Sequence, residues 1–341
     1  MNTSPETLKT ALAIVASASH VARVVQRDLE NIRQITKDDR SPVTVADFAV
    51  QAIVGMELNE RLGAPLIVGE ENADALRQPG QEAVCEAVHQ AVRRHRPDIT
   101  LDQVLDAIDL CNHDAKASHY WTLDPIDGTK GFLRGQQYAI ALGLIEDGQV
   151  TMGIMGCPNL PSDHALPLDQ ADDTGTLYGA IKDQGAWEYE LNTELSDKTR
   201  RSIRAGTYQT GADIRTCGSV EKAHSKQSDT QRILEHLQIA STPVRLDSQC
   251  KYAVVARNQA DAYFRMPTSS TYVEKIWDHA AGSLIATEAG AIVSDILGQP
   301  LDFSQGWGLT SNRGVIGAVP GLHEQIIESI EKLGIAETVK A

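Results

Sequence analysis

Trp121-Thr122-Leu123-Asp124-Pro125-Ile126-Asp127-Gly128-Thr129-Lys130-Gly131-Phe132 runs from an apolar strand straight into two carboxylates. Acidic groups at a strand end cost free energy unless something positive lies between them. Pro125 donates no backbone hydrogen bond and fixes the turn. Gly128 permits the tight path that Thr129 then leaves. An isolated Asp-Pro-x-Asp reads as a solvated polar turn. Three further acidic stations, each in a fitting local context, weigh against that reading here.

Leu66-Ile67-Val68-Gly69-Glu70-Glu71 is again a short apolar strand that runs into carboxylates, with glycine at the corner. In Ser41-Pro42-Val43-Thr44-Val45-Ala46-Asp47, Thr44 reads as a helix N-cap with Asp47 in the first turn. Capping alone accounts for Asp47 as well as a catalytic role does. Lys275-Ile276-Trp277-Asp278-His279-Ala280-Ala281-Gly282 places Asp278 at the opening of a small-residue helix, whose dipole favours the ionised carboxylate. Carboxylates at element ends suit a hard cation. Mg²⁺ takes oxygen ligands in octahedral geometry and keeps waters that a phosphate can displace.

Together and in this order, the four stations resemble the lithium-sensitive, magnesium-dependent phosphatases. That superfamily includes inositol monophosphatase, inositol polyphosphate 1-phosphatase, fructose-1,6-bisphosphatase and 3′(2′),5′-bisphosphate nucleotidase. The resemblance spans about Asp47 to Gly317. Downstream, Ser219-Val220-Glu221-Lys222-Ala223-His224-Ser225, Leu246-Asp247-Ser248-Gln249-Cys250-Lys251-Tyr252 and Ala260-Asp261-Ala262-Tyr263-Phe264-Arg265 are similar to the bisphosphate nucleotidase branch of the salt-tolerance type. Cys250–Ala253 and Thr268–Thr271 match less closely.

The resemblance implies a layered α-β-α-β-α sandwich and a site with two or three Mg²⁺ ions. It implies Glu70, Asp124, the carbonyl of Ile126, Asp127 and Asp278 as metal ligands, and Asp47 with Thr129 as the pair that activates water. Glu71 then backs the site or is simply exposed. Gly128, Thr129, His224, Ser248, Lys251, Arg265 and Asp278 are the implied substrate contacts, with Lys251 and Arg265 on a phosphate that is not cleaved. Arginine and lysine suit a phosphate that no metal touches. Taken singly, His224, Lys251 and Arg265 read as ordinary surface groups, and Thr129 as a turn residue.

Three functions compete on this reading. The first is a 3′-phosphatase acting on adenosine 3′,5′-bisphosphate and on its sulfated relative. The second is an inositol monophosphatase or inositol polyphosphate 1-phosphatase with the same metal core. The third is a non-catalytic ligand sensor, against which the complete set of carboxylates and Thr129 argue. Haloacid-dehalogenase phosphatases carry D-x-D-G-T. The spacing here is D-x-x-D-G-T, one residue longer, and lies far from the N-terminus.

Composition agrees. Lys plus Arg is 31 and Asp plus Glu 46, a formal net charge of −15. That field disfavours nucleic acid and anionic membranes as the main partners; a small phosphorylated nucleotide is the partner the resemblance implies. It also repels such a substrate, so local cations must reverse the sign at the site. The five cysteines are scattered without a C-x-x-C pair, which points to no zinc site, no disulfide framework and a reducing compartment. The N-terminus reads as a helix capped by Ser4, with Pro5 first and Leu8, Ala11, Leu12, Val15 and Ala18 on one face. No uninterrupted apolar stretch of membrane-spanning length is expected. A cytoplasmic monomer is the default.

In an α/β order, helices are expected near 4–33, 44–62, 83–94, 101–108, 229–238, 251–257, 278–289 and 321–334. Strands are expected near 65–69, 120–123, 138–145, 149–155, 177–181, 186–189, 214–217, 261–265, 291–294 and 314–318. Asp147-Gly148 marks a hairpin. The chain of 341 residues divides near 190–205 into an N-terminal α+β metal-site half (1–200) and a C-terminal α/β substrate-binding half (201–341), with the site in the cleft between them. The segment 72–119 reads either as a lid or as a peripheral insertion.

Overall fold

The computed structural model describes residues 3–36, 41–196, 198–209, 213–221, 225–269 and 271–336. In chain order the first half comprises α1 (Pro5–Arg27), α2 (Leu29–Thr36), α3 (Ser41–Arg61), β1 (Ile67–Gly69), α4 (Glu82–Arg93), α5 (Leu101–Asp109), β2 (His119–Asp127), α6 (Thr129–Leu133), β3 (Ala139–Glu146), β4 (Gln149–Cys157), β5 (Thr176–Ile181), β6 (Gly185–Glu190) and β7 (Arg201–Ser202). Then follow β8 (Thr216–Gly218), α7 (Gln227–His236), β9 (Val244–Arg245), α8 (Cys250–Ala256), β10 (Ala262–Arg265), α9 (Ala280–Glu288), β11 (Ile292–Ser294), β12 (Val315–Ala318) and α10 (Leu322–Lys332).

Strands β1 to β7 form one sheet in sequence order. β1 and β2 are parallel, and every later neighbour is antiparallel. The hairpin expected at Asp147-Gly148 is present, both residues at positive φ (49° and 74°), as the tight turn between two twisted strands requires. The second sheet has the order β11-β12-β10-β8-β9.

Glycines set how closely helices approach the first sheet. A Cβ on Gly156 would lie 2.2 Å from Ser19 Oγ, and one on Gly179 3.1 Å from Leu8 Cδ1, so α1 lies directly on β4 and β5. On the opposite face, a Cβ on Gly143 would meet Ala280 at 2.9 Å and one on Gly153 the Ala281 carbonyl at 2.7 Å, so α9 rests on β3 and β4. One core joins α1, α3, α4 and α5 to the first sheet. A second unites α8 and α9 with both sheets. A third packs α7 and α10 on the outer face of β10 and β12. The layers are α-β-α-β-α, as the resemblance implies.

Some expectations change. Helix α1, 23 residues long, is long and apolar enough by length and composition to cross a membrane, although Lys9, His20 and Arg23 interrupt its apolar run. Its apolar residues Leu8, Leu12 and Val15 are buried in the first core, which accounts for them. Helix α3 begins at Ser41, not at Thr44. Thr44 is therefore interior and Asp47 sits in the second turn; Pro42 near the start needs no N–H partner. Helix α9 begins at Ala280, so Asp278 precedes it by two residues. The five-residue α6 and the two-residue strands β7 and β9 were not anticipated. Within 72–119, α5 is capped by the Thr100–Gln103 capping box, and Val88, Val92, Val104 and Ile108 are buried in the core that holds α3. The segment is part of that layer.

Candidate active site

Parallel pairing of β1 with β2 sets Gly69 against Leu123, so both strands deliver their carboxyl ends to one edge. Glu70 follows β1 there, tied by its N–H to the Leu123 carbonyl at 3.3 Å. Ligand sites in such sheets lie outside the carboxyl ends of the strands. The register of β2 shifts between Asp124, opposite Ala141, and Asp127, opposite Ala139. Three steps on β2 oppose two on β3. An unbulged strand would send residues i and i+3 to opposite faces; the extra residue returns both carboxylates to one face. The longer D-x-x-D spacing thus has a structural cause.

Gly128, at φ 92°, then turns the chain, and Thr129 opens α6. A side chain at 128 would meet Ser248 Cβ at 2.9 Å. Ser248 itself holds a positive φ of 66°, an uncommon backbone for a residue with a Cβ. Its Oγ accepts from Cys250 N at 3.2 Å. Thr129 is exposed, whereas Asp47 and Asp124 are buried.

The charges show what this cluster needs. Burial, with Glu71 and Glu70 nearby, raises the Asp47 carboxyl well above the usual range. Burial and the charges of Glu70, Asp127 and Asp278 do the same to Asp124. Asp127 is pushed up to about 6 by burial and by Asp278. Glu70 is pushed to about 8 by desolvation and by Asp278, Glu71 and Asp127, although part of its side chain stays open to solvent. Asp124 Oδ1 is buried without a hydrogen-bond partner. Crowded carboxylates with an orphaned buried oxygen are an oxygen-rich donor set that a hard divalent cation satisfies. Glu70, Asp124, Asp127 and Asp278 fit that ion. Glu274, Asp278 and His279 also bring ligand atoms within 4.8 Å of one another. The Arg265 guanidinium already bridges Glu274 and Asp278, at 2.7 and 3.3 Å, so that trio has its cation.

The expected substrate contacts sit differently. Lys251 is buried, and its amine donates to the carbonyls of Leu246 at 3.2 Å and Ser248 at 2.5 Å. One of its three N–H groups remains for a ligand. Burial lowers its pKa, against the pull of Asp127. Arg265 is largely engaged by Glu274 and Asp278 rather than solvated. His224 lies outside the described residues.

The model of the inositol monophosphatase family matches residues 4–334. The chain belongs to that family. Members of the inositol monophosphatase family are metal-dependent. A 3'(2'),5'-bisphosphate nucleotidase of Schizosaccharomyces pombe is 40% identical over 332 residues, covering 94% of this chain and 93% of the relative. One from Oryza sativa is 36% identical over 340 residues, covering 95% and 93%. A 3',5'-bisphosphate nucleotidase 2 of Arabidopsis thaliana is 36% identical over 341 residues, covering 95% and 96%. Among solved structures, CysQ from Bacteroides thetaiotaomicron shares the fold with a TM-score of 0.61 at 19% identity, covering 92% of this chain and 97% of that one. The inositol monophosphatase from Anabaena does so at 0.61 and 17%, covering 96% of each.

Other residues of this inositol monophosphatase family chain brace the site and were not singled out in the sequence. The backbone N–H of Gln249 donates to Asp127 Oδ2 at 2.5 Å, while its side chain donates to the Trp277 carbonyl at 2.8 Å and accepts from Gly282 N at 2.9 Å. Gln249 thereby ties the β2 end to both flanks of Asp278. Gln51, one turn after Asp47 on α3, accepts from Glu71 N at 3.0 Å and donates to the carbonyls of Glu71 and Ile108 at 2.5 and 3.2 Å. Gln249 lies inside the quoted 246–252 motif, so that motif was the available signal. Gln51 carried none.

Proposed function

We propose that this chain is a Mg²⁺-dependent phosphoric monoester hydrolase that removes the 3′-phosphate of adenosine 3′,5′-bisphosphate to give AMP, and that it also acts on 3′-phosphoadenylyl sulfate. The observation that carries the reading is the near-full-length similarity to chains named as bisphosphate nucleotidases, at 36 to 40% identity, alongside an intact carboxylate cluster. Glu70, Asp124, the Ile126 carbonyl, Asp127 and Asp278 would hold the two or three Mg²⁺ ions that the resemblance implies. When bound, Mg²⁺ neutralises the phosphate dianion and acidifies a water.

The protein's own groups do the rest. Thr129 orients the attacking water and relays its proton to the ionised Asp47 carboxylate, which burial and the nearby Glu71 and Glu70 make a stronger base than a solvated aspartate. Attack falls directly on phosphorus, with no phospho-aspartate. Gly128 lets the substrate approach the backbone. Ser248 contacts the nucleoside, a role the resemblance also gives His224, while Lys251 and Arg265 answer the uncleaved 5′-phosphate. Residues 1–200 supply most metal ligands and 201–341 most substrate contacts. The enzyme is a cytoplasmic monomer that works on a small molecule, neither nucleic acid nor membrane, and millimolar Li⁺ inhibits it. Chromatography of the product tests the regiochemistry: 5′-AMP is expected, and 3′-AMP would overturn the reading.

A further inference from the structure

Arg265 is caught between two carboxylates of unequal hold. Its Nε donates to Glu274 Oε1 at 2.9 Å and its Nη2 lies 2.7 Å from Glu274 Oε2, a two-point fork. Its contact with Asp278 Oδ2 is single and long, 3.3 Å. Glu274 is itself fixed. Oε2 meets His279 Nε2 at 3.1 Å, and His279 Nδ1 meets the Tyr252 hydroxyl at 2.8 Å. With Nε2–H donating to Glu274, Nδ1 is left to accept from the phenol. His279 and Tyr252 are buried. The Glu274 carbonyl also accepts from Leu309 N at 2.8 Å, which pins the backbone. Burial alone would raise the Glu274 carboxyl; the guanidinium and the imidazole outweigh it and hold the group at about 2.

We propose that Glu274 is a positioning residue: it parks the Arg265 guanidinium by one edge and so keeps that cation from closing onto Asp278, leaving the Asp278 carboxylate for a divalent ion. Without the Glu274 charge, the carboxylate still in contact with the freed donors is Asp278, at 3.3 Å. A bidentate Arg265–Asp278 pair would then compete with the metal for the same oxygens. The inference rests on reading Asp278 as a metal ligand.

Substrate-free Mn²⁺ titration, followed by electron paramagnetic resonance, tests it without any turnover. Glu274→Gln should weaken Mn²⁺ binding on the order of tenfold. Adding Arg265→Gln removes the competitor and should bring affinity back to within about twofold of Arg265→Gln alone, the non-additivity that marks coupled residues. A merely structural role for Glu274 gives no such rescue. Unchanged Mn²⁺ affinity in a folded Glu274→Gln variant, or a double variant no tighter than the single, overturns the proposal. If Glu274→Gln fails to fold, Arg265→Gln decides alone: affinity at or above wild type supports the proposal, and weaker binding overturns it. Absence of Mn²⁺ binding by the unmodified chain would sink the metal reading and this inference together, before any variant is made.

Discussion

The backbone N–H of Gln249 reaches Asp127 Oδ2 at 2.5 Å across 122 residues of sequence. One carboxylate thus anchors the start of α8 with one oxygen while the other stays available to a cation. Asp127→Asn keeps an oxygen acceptor for Gln249 but removes a charge from the ligand set. Metal ions contribute several kcal/mol of transition-state stabilisation, so kcat should fall by at least about 10²-fold, while in chelator above pH 6 the thermal midpoint should not fall, because the variant lacks the buried charge. Phosphate release and differential scanning calorimetry on one preparation check both halves.

The raised carboxyls make stability pH-dependent in a stated direction. A carboxyl held above its unfolded value stabilises the fold while protonated, and that contribution is lost as pH rises through the folded value. For Asp127 and Glu70 those values are about 6 and about 8. In chelator the melting temperature should therefore fall between pH 5 and 8.5. Added Mg²⁺ should raise it, and more at pH 8.5 than at 5.5, because the ligands must be deprotonated. A Mg²⁺-induced shift that is larger at low pH would contradict this.

Thr129 heads α6, exposed, immediately after the Gly128 turn. Thr129→Val keeps the shape and removes the hydroxyl. A loss of about 10²–10⁴ in kcat is expected, as for other proton-transfer groups, with Mn²⁺ affinity preserved. A loss explained wholly by weaker metal binding would make Thr129 a structural residue.

Arg265 is better tested by Arg265→Lys than by Arg265→Ala. Alanine strips the guanidinium from the buried Glu274 carboxylate and leaves it only the His279 contact at 3.1 Å, a loss of up to about 3–5 kcal/mol. Lysine keeps charge without the fork. KM for adenosine 3′,5′-bisphosphate should rise well above any rise for 3′-AMP, since only the former carries the second phosphate. Equal effects on both substrates would assign Arg265 to the fold or the metal site.

Much of the fold was legible where local chemistry suffices. Asp147-Gly148 can hardly be other than a tight hairpin, and the apolar runs ending at Gly69 and Asp127 are both strands. Elements made by pairing alone were not legible: two-residue β7 and β9 exist only through their neighbours. At the site, the acidic stations could be read singly, and the resemblance joined them. The bulge that aligns Asp124 with Asp127, the burial of Lys251 and the Arg265–Glu274 fork depend on chain segments that meet only after folding.

Close helix-to-sheet approach also predicts a sensitivity far from the metal cluster. A methyl at Gly153 would lie 2.7 Å from the Ala281 carbonyl. Gly153→Ala should cost about 1–3 kcal/mol by overpacking, visible as a lower urea midpoint. It should also reduce activity, because α9 begins two residues after Asp278.

The most direct test of the central claim is phosphate release from adenosine 3′,5′-bisphosphate and from inositol 1,4-bisphosphate at equal concentration, each with Mg²⁺ and with excess chelator. The expected result is turnover with Mg²⁺, none in chelator, and kcat/KM for the nucleotide at least about tenfold above that for the inositol phosphate, a difference of about 1.4 kcal/mol in transition-state binding. Turnover in excess chelator, or a preference for the inositol phosphate, would contradict it.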